Sequence, residues 1–263
     1  MTKRESIIDT IKHKSIQPIP YHLDFTIHAA EKMARFYNDP DFNSKIGNYL
    51  LPLSAEPETA FTEVKPDIFR DSFGVDWNRT VDKDIGVVCN TLVTPENLSN
   101  FPFPDPDNPS IYKKFHENIQ SGEERFIVAN LGFSLFERAW TLAGMENVLM
   151  AMATDKDFIN QLLDRILEYN IKVIKNCCKF DIDAMMFGDD WGQQTGLIMG
   201  PKTWREFIKP RIRKMYDTVK SNGKFVFIHS CGKVDEIFPD LIECGLDVFN
   251  PFQPEVIDVF EAK

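Results

Sequence analysis

From about residue 122 onwards, short apolar segments alternate with longer segments of helical periodicity. We predict strands at 125–131, 183–187, 224–228 and 246–249. We predict helices at 133–142, from Thr154 to about Cys178, from Pro201 to Gly223 with a kink near Pro210, and at 233–243. Thr154 and Asp157 resemble a capping box that would start the second of these helices. Strands alternating with helices indicate parallel strands joined by crossover helices, and continuous apolar strands indicate burial on both faces. The pattern predicts an α/β protein.

The N-terminal part of the chain is less regular. Helical spacing predicts helices at 4–13 and 27–37. Between them, the apolar segment Ile19–Leu23 is predicted to be the first core strand. We interpret residues 39–122, which are rich in Pro and Asn, as an irregular elaboration with a hairpin through Phe73–Trp77 and a strand at 85–89. Neither a linker nor a break in composition surrounds this elaboration, so we predict a single domain over the whole chain, 1–263.

These predictions give about five core strands. A doubly wound open sheet and a closed (β/α)₈ TIM barrel both fit the alternation of strands and helices. Because a barrel needs eight strands, either the sheet is open or the sequence lacks the last three βα units of a barrel. The residues alone leave both readings open.

Charge and hydropathy exclude several classes of protein. The chain has 30 Lys and Arg against 40 Asp and Glu, a net charge of −10, which disfavours binding to nucleic acid. It has no run of 18 apolar residues and no apolar signal core near the N-terminus, so we expect a cytoplasmic protein without a membrane partner. Five Cys without a CxxC motif do not indicate a disulfide framework.

The segment Phe225-Val-Phe-Ile-His229-Ser230-Cys231-Gly232 places a His and a Cys where a predicted strand passes into its loop. In both α/β architectures, the loops after the carboxyl ends of the strands form the active face. A spacing of two residues in an extended chain puts both side chains on one side, where they could share one zinc ion. The alternative is a buried His and a buried Cys beside a tight Gly turn. A third protein ligand is not evident in this sequence.

Asp189 and Asp190 follow the strand predicted at 183–187. Carboxylates at a strand end can bind a metal or substrate, or act as a general acid or base if the pKa is raised. Only one of two adjacent side chains can point inward, and the alternative is an Asp that caps a Gly-containing loop. We predict a functional role for one of the pair.

His22 and Asp24 lie at and just after the end of the first predicted strand and should share the same face. His22 is a candidate base or metal ligand. The alternative is a loop histidine whose hydrogen bonds are satisfied.

Four segments together resemble the uroporphyrinogen decarboxylase-like superfamily. They are Asp71-Ser-Phe-Gly-Val-Asp-Trp77, Phe136-Glu-Arg-Ala-Trp140, Phe187-Gly-Asp-Asp-Trp-Gly-Gln-Gln-Thr-Gly196 and His229-Ser-Cys-Gly232. The resemblance implies a (β/α)₈ barrel, and because members are typically longer, it implies a barrel truncated at its C-terminus.

Two branches of the superfamily differ in chemistry. The decarboxylases carry a Met-Arg-Gln-Ala-Gly-Arg motif after the first strand, whereas the matching stretch here, Tyr21-His22-Leu23-Asp24-Phe25-Thr26, has no Arg. Asp24, Asp189 and Asp190 would repel a porphyrinogen with eight carboxylates. In the cobamide-dependent methyltransferases, a His-x-Cys motif and a distant Cys bind zinc, which activates a thiol. His229 and Cys231 match the first two ligands, and the third would lie beyond Lys263.

The resemblance is closest to the methyltransferase branch. It implies a zinc-dependent enzyme that moves a methyl group between a corrinoid protein and a small thiol or other methylated substrate. Asp189 or Asp190 would orient the substrate or assist proton transfer, His22 and Asp24 would line the same mouth, and Gln193 and Gln194 would contact the methylcorrinoid. The alternatives are a metal-independent uroporphyrinogen decarboxylase and a non-catalytic barrel that binds a corrinoid or tetrapyrrole.

Overall fold

The computed structural model describes residues 1–57, 61–119 and 124–262. The helices are α1 (Lys3–Ile11), α2 (Ile27–Tyr37), α3 (Phe42–Lys45), α4 (Lys113–Ile119), α5 (Phe136–Ala143), α6 (Met145–Thr154), α7 (Lys156–Cys177), α8 (Pro201–Phe207), α9 (Lys209–Ser221) and α10 (Phe238–Glu243). The strands are β1 (Leu50–Ser54), β2 (Thr62–Lys65), β3 (Ile68–Arg70), β4 (Asp76–Asn78), β5 (Val87–Val88), β6 (Phe126–Leu131), β7 (Ala184–Gly188), β8 (Gly192–Gln193), β9 (Gly196–Leu197), β10 (Phe225–His229) and β11 (Val248–Asn250). Short 3₁₀ helices cover Leu98–Asn100, Pro109–Tyr112 and Asp235–Ile237.

Five strands form one parallel sheet in the order β1-β6-β7-β10-β11. The predicted α/β class is therefore confirmed. The four strands predicted after residue 122 all belong to this sheet, each within one or two residues of its predicted bounds. Their continuous apolar sequences are explained by burial on both faces of the sheet.

The two faces of the sheet pack differently. Alternate side chains such as Ile127, Met185 and Ile228 join the main core with the crossover helices. On the opposite face, a smaller cluster of Phe126, Val128, Ala184 and Phe227 packs with apolar residues of α1. Helix α1 lies at the amino ends of the strands, where the Arg4 Nε donates to Asp183 Oδ1 at 2.7 Å. The carboxyl ends of the strands point the other way.

The predicted first strand at Ile19–Leu23 is wrong. That segment is not a strand, and the first strand of the parallel sheet is β1, which pairs with β6 from Leu50↔Phe126 to Ser54↔Asn130. Pro52 in the middle of β1 argues against a strand in the sequence. The structure accommodates Pro52 because β1 lies at the edge of the sheet, where a missing N–H is tolerated.

Within the predicted elaboration, β2, β3, β4 and β5 form a separate antiparallel sheet. The predicted hairpin corresponds to β3 and β4, and the strand predicted at 85–89 is the shorter β5. Residues 58–60 and 120–122 of the elaboration lie outside the described residues. A buried ion pair between Asp71 Oδ2 and Arg138 Nη1, 2.7 Å apart, attaches this region to α5.

The long helix α7 begins one residue later than the capping-box prediction required. Thr154 is the last residue of α6, and the N-cap of α7 is Asp155, whose carboxylate accepts from the Phe158 N–H at 3.0 Å. Two adjacent residues of capping type compete here, and Asp is as good an N-cap as Thr. The kink predicted near Pro210 is the boundary between α8 and α9.

None of the helices in the three described ranges has the combination of length and apolar character needed to cross a bilayer.

Candidate active site

The loops after β7 and β10 lie side by side at the carboxyl end of the sheet. His229 pairs in register with Gly188 on one side and with Asn250 on the other. The Asp189 N–H donates to the His229 carbonyl at 3.0 Å, and the Ser230 N–H donates to the Asn250 carbonyl at 2.8 Å. The backbone therefore carries both predicted motifs into one loop cluster, at the end of a parallel sheet where α/β proteins place their active sites.

Two glycines allow these loops to touch. A Cβ added to Gly192 would lie 2.5 Å from the Cys231 carbonyl oxygen. A Cβ added to Gly232, which has φ +85°, would lie 2.6 Å from the backbone nitrogen of Gln193. Only a residue without a side chain fits at either position. The glycines in both motifs therefore serve backbone contact between the loops.

The side chains of His229 and Cys231 converge, with 3.5 Å between His229 Nε2 and Cys231 Sγ. His229 Nδ1 lies 2.7 Å from Asn250 Oδ1. Since an amide oxygen only accepts, Nδ1 carries the proton and the lone pair of Nε2 faces the thiol. An orienting partner on the second ring nitrogen is the usual arrangement for a metal-binding His.

Asp190 supplies a third donor. One ligand atom from each of Asp190, His229 and Cys231 lies within 4.8 Å of the other two. The Cys231 N–H donates to Asp190 Oδ1 at 2.7 Å, which holds this carboxylate beside the thiol. Asp190 is therefore a candidate third ligand from within the chain, and the third ligand that the resemblance implies beyond Lys263 stays a prediction. The convergence depends on the pairing of β7 with β10, which the sequence order of Asp190 and Cys231 does not reveal.

The donor set fits zinc. Nitrogen, sulfur and oxygen donors are those that zinc takes from His, Cys and Asp, and donor atoms around a tetrahedral zinc are about 3.3–3.8 Å apart. The His229–Cys231 separation falls in this range, and a small rotation of Asp190 would bring its carboxylate in. Burial, together with the neighbouring Asp190, raises the pKa of Cys231 to about 11. A cation is therefore needed to hold Cys231 as a thiolate at neutral pH.

Asp189 does not share the position of Asp190. Its side chain is fully buried, and it accepts from the backbone N–H groups of Phe136 at 3.1 Å and Glu137 at 2.7 Å, and from the Trp191 indole at 2.7 Å. Burial raises its pKa to about 6. Asp189 thus binds the N-terminus of α5 and does not line the cavity. The prediction that only one of the two carboxylates points inward is correct, and the structure selects Asp190.

A cavity of about 900 Å³ opens in front of these groups. Asp190 and His229 line it, and so do the predicted His22 and Asp24. His22 Nε2 lies 3.1 Å from Asp24 Oδ1, while His22 Nδ1 is buried and has no hydrogen-bond partner among the described residues. His22 and Asp24 therefore reach the predicted mouth, although they do so from a loop and not from the end of a strand.

Glu137 also lines the cavity and was not predicted as a site residue. Burial, with Asp189 and Asp190 nearby, raises its pKa to about 8. It belongs to the motif 136–140, but an acidic residue in the first turn of a helix is ordinary in a sequence. Only the position of α5 beside Gly188 brings its carboxyl group into the site.

Gln193 and Gln194 lie outside the cavity. Both are exposed on the hairpin formed by β8 and β9, and the Gln193 carbonyl accepts from the Lys233 N–H at 2.9 Å. Their side chains do not line the space in front of Asp190 and His229. A cofactor bound within the cavity would not meet them.

The family model of uroporphyrinogen decarboxylase (URO-D) matches residues 71–253. The match contains both loops of the site and most of the chain. The chain belongs to the uroporphyrinogen decarboxylase family. The resemblance inferred from the sequence motifs is thereby confirmed.

Relatives of this URO-D family chain include methyltransferases. The methylcobamide:CoM methyltransferase MtaA of Methanosarcina barkeri is 27% identical over 107 residues, which cover 41% of this chain and 30% of that protein. The aligned part thus spans less than a third of the curated relative. A methyltransferase from Methanosarcina mazei has a similar structure, with a TM-score of 0.73, 16% identity, and coverage of 100% of this chain and 79% of that chain. At this identity the similarity shows the fold.

Proposed function

We propose that this URO-D family protein is a zinc-dependent methyltransferase that moves a methyl group between a corrinoid protein and a small thiol. The observation that carries the proposal is the convergence of Asp190, His229 and Cys231 in front of a cavity large enough for a small substrate. The similarity to two methyltransferases supports it. We also propose that the five-stranded parallel sheet is part of an eight-stranded (β/α)₈ barrel.

Each residue of the site has a distinct task in this mechanism. Asp190, His229 and Cys231 would hold zinc, and Asn250 would keep His229 Nε2 free for binding. When bound, zinc supplies a Lewis acid that lowers the pKa of a substrate thiol. His22 lines the same cavity and would accept the released proton.

We propose that Gln193 and Gln194 contact the partner protein and do not contact a cofactor inside the cavity. The corrinoid is carried by a partner protein, which approaches from outside the molecule. Exposed side chains next to Gly192, which packs against the Cys231 loop, are accessible to such a partner. Asp189 has a positioning role, since it binds α5 and thereby places Glu137 at the cavity.

The decarboxylase alternative lacks a group to bind carboxylates. Among the described residues, the cavity is lined by Asp24, Asp82, Glu137 and Asp190 but by no Lys or Arg. A substrate with several carboxylates would meet repulsion without compensation. Formation of coproporphyrinogen in the presence of a chelator would favour decarboxylation over methyl transfer.

Metal content tests the proposal directly. The protein is loaded with zinc, dialysed, and measured by mass spectrometry for wild type and for Asp190→Asn, His229→Ala and Cys231→Ser. We expect each substitution to weaken zinc binding by about 10- to 100-fold or more, because each removes one of few ligands. Cys89→Ser is the matched control, since Cys89 is an exposed thiol outside the trio.

Methyl transfer is measured separately, by the change in absorbance when methylcobalamin loses its methyl group to an added thiol. Loss of both metal and transfer in the three variants, with Cys89→Ser unchanged, is the expected result. Variants that retain stoichiometric zinc and full transfer would refute the mechanism.

A further inference from the structure

The lining of the cavity is acidic. Four carboxyl side chains line it, and within the described part of the chain its only basic side chains are His22 and His229. The neighbouring Arg138 is paired with Asp71 at 2.7 Å, and both side chains are 4% exposed. Its guanidinium carbon also lies 5.7 Å from the centroid of the Phe133 ring, so that ring already has one cation beside it. An anionic group that entered would therefore have no cationic partner, whereas a cation would be attracted.

Three aromatic rings line the same cavity. The ring centroids of Trp77 and Phe133 are 5.0 Å apart at 45°, and those of Phe133 and Trp140 are 6.5 Å apart at 84°. Phe133 and Trp140 thus form two nearly perpendicular walls. The faces of such rings attract cations, and cages of this kind bind ammonium groups.

The position of Phe133 is imposed by an unusual backbone conformation. Phe133 has φ +45°, which a bulky side chain rarely adopts. Such strained conformations are concentrated at ligand sites. Here the conformation accompanies placement of the ring between two tryptophans at the cavity wall.

Glu137 links the aromatic wall to the metal-binding trio. Its Oε2 would lie 3.8 Å from a Cβ at Gly188, and Gly188 pairs in register with His229. Asp190 and His229 line the same cavity as the rings, so a small molecule in the cavity could contact both regions at once.

We propose that the small thiol substrate carries a positively charged ammonium group, which Phe133, Trp140 and the carboxylates of the cavity recognise while its sulfur reaches Asp190, His229 and Cys231. The inference rests on the proposed function, because it assigns the sulfur to the metal-binding trio. It assigns the substrate to the aminothiols, as opposed to thiols that carry a carboxylate or sulfonate.

The first experiment compares three thiols of equal length: 2-aminoethanethiol, 2-mercaptoethanol and 2-mercaptoethanesulfonate. Each is titrated into the full chain loaded with Co²⁺, and an increase of the thiolate-to-cobalt absorption above the band that Cys231 itself gives reports binding. We expect the aminothiol to bind about tenfold or more tightly than the sulfonate, with the alcohol between them.

The second experiment needs neither thiol nor metal. Tetramethylammonium and its neutral isostere 2-methylpropan-2-ol are titrated into the metal-free protein, with tryptophan fluorescence and calorimetry as readouts. We expect only the cation to bind measurably. Trp140→Leu should weaken that binding about tenfold, whereas Trp140→Phe, which keeps an aromatic face, should retain most of it. Thermal unfolding of both variants controls for loss of structure.

The outcomes separate this inference from the proposed function. No increase of the cobalt band with any of the three thiols would refute the proposed function, while the tetramethylammonium titration would still test the cation site. A sulfonate that binds as tightly as the aminothiol would overturn the inference. So would a neutral isostere that binds as well as the cation, or equal affinities for Trp140→Leu and Trp140→Phe.

Discussion

Two segments at the cavity carry a similar sequence signal, a His two residues before a second polar group, but the fold supports them differently. His229-Ser-Cys231 ends a central strand, and hydrogen bonds join its backbone to the loops on both sides. His22-Leu-Asp24 lies in a loop, where Asp24 is 79% exposed and the Leu23 N–H donates to the Asn48 side chain. A parallel sheet positions the first pair, whereas the second is held by hydrogen bonds from one neighbouring loop, in which the Asn48 side chain bonds the backbone of Leu23 and the Tyr49 N–H donates to the Tyr21 carbonyl. The same spacing therefore does not imply the same rigidity.

The largest effect is expected at the contact between the loops after β7 and β10. Gly232→Ala should lower the free energy of unfolding by about 3 kcal/mol, because the new Cβ would meet the backbone of the facing loop and φ is +85°. Gly223→Ala is a matched control, since φ is +70° but no atom lies within 4 Å of the added Cβ. Its cost should be about 1 kcal/mol. Urea unfolding of both variants measures the difference. If both substitutions lowered the free energy of unfolding equally, the loops after β7 and β10 would be free to separate.

Asp189 should matter for stability more than its neighbour. Asp189→Asn replaces a buried acceptor with an amide whose NH₂ faces backbone N–H donors, and should cost about 2 kcal/mol. Asp190→Asn should cost less than about 0.5 kcal/mol while it weakens zinc binding. Denaturant unfolding in chelator, followed by metal titration, distinguishes the two. The reverse order would mean that the two carboxylates were assigned the wrong roles.

Glu137 should make stability depend on pH. Its pKa in the folded protein is raised to about 8, above the ordinary value of 4.5. The contribution of the protonated Glu137 side chain to the free energy of unfolding is therefore fully present below about pH 4.5. It is lost as the pH rises through about 8. The difference in unfolding free energy between wild type and Glu137→Gln should fall by about 1 kcal/mol from pH 6 to pH 7. The measurement is a series of urea unfolding curves without metal, and a constant difference would contradict the burial of Glu137.

The smallest effect is expected in the loop segment. Asp24→Asn should change the free energy of unfolding by less than about 0.5 kcal/mol, because the side chain is exposed and its pair with His22 is a surface interaction. Zinc content should not change. Thermal unfolding and metal analysis test both statements. A large loss of stability would show that the loop of His22 and Asp24 is held as rigidly as the end of β10.

The sequence predicts the parts of this protein that depend on local patterns. Continuous apolar runs predicted β6, β7, β10 and β11, and the motifs indicated the family. The first strand was missed because Pro52 interrupts β1, and the edge position that tolerates Pro52 is a property of the assembled sheet. The place of Glu137 at the cavity and the convergence of Asp190 with His229 and Cys231 were missed for a related reason. Both depend on which strands are neighbours, and no short stretch of sequence carries that information.

The buried pair of Asp71 and Arg138 has a consequence for how this chain can diverge. Asp71 accepts from the backbone N–H groups of Phe73 and Val75, and its partner Arg138 lies directly beside Glu137 in α5. A substitution that shifts the hairpin around Asp71 would thus displace Arg138 and the neighbouring Glu137 at the wall of the cavity. Mutational libraries should therefore show low tolerance for substitution at Asp71 and high tolerance at Val81, whose side chain is 91% exposed.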